Sequence, residues 1–95
     1  MDTYIKVYDW MSPIPPAERL VYALIYQLTL AGSGFWSTTK NMSNRLGIPK
    51  SKCNQALEHL QQIGAVTLIS QTILHRQRNT FFANEVFAQK LQNGD

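Results

Sequence analysis

The side chains best placed to do chemistry in this sequence are cations and carboxamides, not acids, bases or nucleophiles. Within KSKCNQALEH stand Lys50, Ser51, Lys52, Asn54, Gln55 and His59, with Glu58 as the only acid. A lysine attracts phosphate as a point charge and can also reach the acceptors of guanine. The carboxamide of Asn54 or Gln55 can pair bidentately with adenine. Geometry decides which of these meets a base and which a phosphate. Glu58 can accept from cytosine, although a lone acid in such a run reads first as a helix-surface residue. Lys40 and Arg45 precede this group, and Arg76 and Arg78 flank Gln77 beyond it.

The distribution of charge says more than the net value of +3. Between Arg19 and Asn84 seven cations (Arg19, Lys40, Arg45, Lys50, Lys52, Arg76, Arg78) face a single acid, Glu58. Near the two ends the balance reverses, with Lys6 and Lys90 against Asp2, Asp9, Glu18, Glu85 and Asp95. A polyanion is therefore drawn to the middle of the chain. Catalysis finds no footing: there are no paired carboxylates, no serine or cysteine with a base at a readable spacing, and no cofactor fingerprint. Cys53, His59 and His75 do not make zinc-ligand spacing, so no metal, cofactor or small-molecule ligand is expected. Cys53 reads as a buried small hydrophobe. Trp10, Trp36, Phe81 and Phe82 could stack on single-stranded bases, but packing in the core or against the N-terminal arm is the favoured reading. No apolar run approaches bilayer length, and Asp2 breaks the start expected of a secretory signal, so the chain reads as soluble and cytoplasmic, with no membrane partner.

The elements that must position these residues follow from punctuation and periodicity. Ninety-five residues allow one domain. Residues 1–15 form an extended arm ending in SPIPP, and Pro15, Pro16 and Glu18 suit the entry of a helix over 16–31. The apolar residues of that helix, Leu20, Val21, Leu24, Ile25, Leu28 and Leu30 among them, wrap almost its whole circumference. Gly32-Ser33-Gly34 ends it. Phe35 and Trp36 make a short apolar bridge, and Ser37, Thr38 and Thr39 offer N-cap hydroxyls for a helix over 39–46. Gly47-Ile48-Pro49 breaks the chain, and a third helix over 49–63 places Cys53, Ala56, Leu57, Leu60 and Ile63 on one face. Residues 66–83 then read as a hairpin, with strands 66–74 and 80–83 and a basic tip over 75–79. Asn84 caps a last helix over 85–92.

Two short helices joined by a glycine turn, the second polar outside and cationic at its start, form a helix-turn-helix. The sequence resembles small bacterial winged helix-turn-helix DNA-binding proteins of plasmids, phages and integrative elements, and the N-terminal domains of some plasmid replication initiators. RLGIPKSKCNQALEHLQQIGAV carries the motif, and ERLVYALIYQLTLAGSGFW before it and RNTFFAN after it extend the likeness over nearly the whole chain. The resemblance implies a mainly α fold with a small β-hairpin as the wing. It also implies base reading from Ser51, Lys52, Asn54 and Gln55, with Lys50 and His59 at the margins. The sequence departs from the pattern at Lys52, where threonine or serine is common, and at Cys53, where valine is common.

Two functions fit this reading. One is a double-stranded DNA-binding regulator of transcription, replication or transfer of a mobile element. The other is a winged-helix module turned to protein contact, recruiting or inhibiting another factor. A homodimer is also expected, because the first helix has almost no polar face to leave to water and a two-fold partner would cover the rest.

Overall fold

The computed structural model describes residues 5–36 and 38–94. After a 3₁₀ turn at Asp9–Met11 come α1 (Pro16–Leu30), α2 (Thr39–Leu46), α3 (Lys50–Gln62), β1 (Val66–Ile73), β2 (Arg76–Ala83) and α4 (Glu85–Gln92). The described residues form a small α+β fold of four α-helices and one antiparallel hairpin. Local chemistry explains the boundaries. Pro16 opens α1, where a missing N–H has no intrahelical partner to lose. Of the candidate caps, Thr38 is the one that accepts from the Asn41 N–H, at 3.1 Å; Ser37 lies outside the described residues. Asn84 caps α4 by accepting from the Phe87 N–H at 2.9 Å. Among the described residues no helix is long and apolar enough to cross a membrane.

Helix α1 runs through the centre of the molecule. Five consecutive residues, Val21 to Ile25, are buried, so the helix is covered on every side along that stretch. Cys53, Ala56, Leu57 and Leu60 of α3 join them in the core, with Met42 of α2 and Phe35. The segment before α1 supplies a further wall. It is not simply extended: the 3₁₀ turn buries Met11, and Ile14 follows it into the core. Trp10 meets Tyr26 edge-on with centroids 5.1 Å apart, Tyr8 stacks on Trp10 at 5.7 Å, and Phe87 of α4 meets Tyr22 at 5.9 Å. Arg19 fastens this segment by donating to the carbonyls of Ile14 and Ser12 at 3.1 and 3.0 Å. That cation thus braces the entry to α1 and is turned to backbone. The apolar surface from which a homodimer was expected is largely covered within the chain, by the arm and by α4.

The hairpin differs from the sequence expectation at its tip. Its register runs from Val66 opposite Ala83 to Ile73 opposite Arg76, leaving a turn of Leu74 and His75 alone. Both have positive φ, 52° and 66°, as a two-residue turn of matching twist requires. Arg76 to Asn79 therefore belong to β2 and not to a loop. Leu-His lacks the Asn-Gly or Asp-Gly signature of such turns, which is why the polar string beyond it reads as the tip. Phe35 pairs with Phe81 through two backbone bonds of 2.9 and 2.8 Å, setting a short third segment beside β2. Gly34 permits this approach, since a Cβ there would lie 2.7 Å from the Phe82 ring and 2.9 Å from the Phe81 carbonyl oxygen.

Candidate nucleic-acid interface

Helices α2 and α3 are tied to the turn between them by side chains from both. The Ser43 hydroxyl donates to the Ile48 carbonyl at 2.6 Å, and the Cys53 thiol approaches the same oxygen at 3.8 Å. Gly47 ends α2 in the left-handed region at φ 68°, its N–H bonded to the Ser43 carbonyl. Cys53 is buried, and burial pushes its thiol above the ordinary range. The packed small hydrophobe expected from the sequence is what stands there.

At about 100° per residue, Ser51, Gln55, Glu58 and Gln62 lie opposite the buried stripe of α3. Lys50 and Asn54 fall toward one flank of that face, Lys52 and His59 toward the other. Lys50, Ser51, Lys52, Asn54 and Gln55 are all exposed. No side chain caps the start of the helix, where Pro49 holds the N-cap position. An anion placed there meets first-turn N–H groups and the positive end of the helix dipole. His59 has a different setting. Its Nδ1 pairs with the carboxylate of Glu18 in the first turn of α1, so its ring is turned toward α1 and away from the outer face.

The remaining cations gather elsewhere. Lys40 is exposed in the first turn of α2, and Arg45 is exposed in its last. On β2, Arg76 is exposed and Arg78 half-buried. The Arg78 guanidinium lies over the Trp36 indole, 4.8 Å from the ring centroid. Its Nε is buried without a hydrogen-bond partner among the described residues. Trp36 itself is 53% exposed, contrary to the expected packing in core or arm. The cause is the alternation of an extended segment: Phe35, which pairs with Phe81, points inward, so its neighbour must point out.

The indole stands between two shallow grooves. One, of about 200 Å³, is bordered by Leu28, Phe35 and Arg45; the other, of about 350 Å³, by Ile73, Arg76, Gln77 and Arg78. The structure thus brings Arg45, Arg76 and Arg78 to one tryptophan. The alternation in Gly34-Phe35-Trp36 was the available signal for it, but two large aromatics in succession read as a uniformly apolar bridge. A third groove, of about 330 Å³, lies between the end of α1 and α4 and contains none of the cations selected from the sequence. No protein-family model matches the chain, and no curated protein matches it significantly.

Proposed function

We propose that the chain is a winged helix-turn-helix domain that binds double-stranded DNA, as a regulator of transcription, replication or transfer of a mobile element. In this reading α3 enters the major groove, with Asn54, Gln55 and Lys52 toward base edges and Lys50 and the helix start toward phosphate. Lys40 and Arg45 meet the flanking backbone, and the hairpin acts as the wing through Arg76 and Arg78. One observation carries most of the weight: α3 is fastened to α2 through the Ile48 carbonyl, while the five polar side chains at its start have no protein partner among the described residues. A rigid element with an unengaged cationic and carboxamide face suits a partner that is anionic and patterned. His59 stays at the margin of this face: its Nδ1 is paired with Glu18, and its side chain remains 46% exposed.

A protein-contact role draws its support from the hairpin. Ile69, Ile73 and Leu74 are exposed there, Leu74 at 89%, and among the described residues nothing pairs with the outer edge of β1, which carries no charged residue. Selection from a pool of random duplexes separates the two readings. The DNA reading expects enrichment of a defined site, and Asn54→Ala or Gln55→Ala to reduce discrimination against random duplex by about 1–3 kcal/mol. Failure to enrich any sequence, with intact folding, would leave protein contact as the better account.

A further inference from the structure

Of the four aromatic residues that the sequence offers for stacking, three are taken up by packing. Trp10 lies edge-on to Tyr22 and Tyr26, and Phe81 and Phe82 are half-buried beside the Phe35 segment. Trp36 alone among them is exposed over half its surface. Arg78 covers part of the indole, and the ring also borders the groove shared with Arg45. Among the described residues no acidic side chain lines either groove beside it. The Arg78 Nε is a buried donor with nothing to bond among the described residues, a state that costs free energy until an acceptor arrives.

A fitting occupant must supply anionic acceptors and a flat apolar ring at short intervals. Paired bases of a duplex keep their faces inside the stack and offer only edges and phosphates. Unpaired nucleotides offer both, and positively charged grooves with exposed aromatics are the usual means of holding them. We propose that Trp36, with Arg45, Arg76 and Arg78, is a stacking site for an unpaired base of single-stranded DNA, separate from the outer face of α3. The base lies against the indole on the side bordered by Leu28 and Arg45, and the adjoining phosphates meet Arg45, Arg76 and the donors of Arg78. This site does not depend on duplex recognition by α3, since a chain that bound single strands and no duplex would retain it.

The test compares two labelled oligomers of about twelve nucleotides, oligothymidylate and an abasic strand of equal length, by fluorescence anisotropy. Both carry the phosphates, and only one carries bases. The wild-type protein is expected to bind the thymidylate about ten-fold more tightly, in line with one stacked base. Trp36→Ala should bring that ratio close to one, and Trp36→Phe should keep most of it. Because the ratio is taken within each variant, a general loss of phosphate attraction cancels. Equal affinity of the wild-type protein for both strands would overturn the proposal in favour of charge alone, without recourse to any variant. A ratio unchanged in Trp36→Ala would overturn the assignment to Trp36. Absence of thymidylate binding alongside binding of an acidic, aromatic peptide would overturn it in favour of a peptide site.

Discussion

The hydroxyl of Ser43 donates across 2.6 Å to the carbonyl of Ile48, closing the turn between α2 and α3 from the α2 side. The only other side chain bonded to that oxygen among the described residues is the Cys53 thiol, a weak donor at 3.8 Å. Ser43→Ala is therefore expected to cost about 1 kcal/mol in urea denaturation, with affinity for DNA falling further than stability alone explains, because the angle of α3 is no longer fixed. A variant with unchanged midpoint and unchanged affinity would remove the turn from the account.

Gly34 and Gly47 share almost the same positive φ, 65° and 68°, and differ in surroundings. A Cβ on Gly47 meets nothing within 4 Å, whereas one on Gly34 would press on Phe82, Thr80 and the Phe81 carbonyl at 2.7 to 2.9 Å. Gly47→Ala should cost about 1 kcal/mol, for the left-handed conformation alone. Gly34→Ala should cost about 2–4 kcal/mol, because overpacking adds to the same strain. Chemical denaturation of the two variants checks the order, and a Gly34 variant no worse than the Gly47 variant would contradict the close pairing of Phe35 with Phe81.

The Tyr22 hydroxyl is buried without a partner among the described residues. Burial, reinforced by the neighbouring Tyr26, pushes its phenol far above the usual tyrosine range. The folded state thus holds the proton that the unfolded chain releases from about pH 10, so stability falls as pH rises beyond that point, by up to about 1.4 kcal/mol per pH unit. Below pH 10 the contribution is constant. Tyr22→Phe should be neutral or stabilising by about 1 kcal/mol at pH 7 and should flatten the alkaline decline. A clearly destabilised variant with an unaltered alkaline slope would show that the hydroxyl has a role the packing does not reveal.

Around α1, the face from which a homodimer was expected, little apolar surface is exposed. With α1 covered by the arm and α4, the prominent residues left near that face are Leu30, 64% exposed, and Val86, 61% exposed. Light scattering across a concentration series is expected to give the mass of one chain for the free protein. A two-chain mass that persists on dilution, and that Leu30→Ser abolishes, would show the dimer and locate it.

The helices were legible because their ends are written in residues whose effect is local: Pro16, Thr38, Gly47 and Asn84 act through their own backbone geometry or a bond within a few positions. What the sequence concealed depends on distant partners. The pairing of His59 with Glu18 was not legible, because nothing in its neighbourhood announces a carboxylate that lies on another helix. The contact of Arg78 with Trp36 was hidden because the alternation that turns Trp36 outward depends on the Phe35–Phe81 pairing, a contact between segments far apart in the chain. The two-residue turn was hidden for a different reason. Leu74 and His75 adopt positive φ without the usual turn residues, so the register of the strands, and not local preference, must impose it.

In the proposed function the exposed cations of α2, α3 and the hairpin meet DNA phosphates, and the salt dependence of duplex affinity measures this most directly. If about five phosphates are neutralised per protomer, the logarithm of the association constant should fall against that of salt concentration with a slope of about −4.5. Replacing Arg76 by alanine should make that slope shallower by about one unit. A slope near zero, or no duplex binding at low salt by a folded protein, would contradict the account.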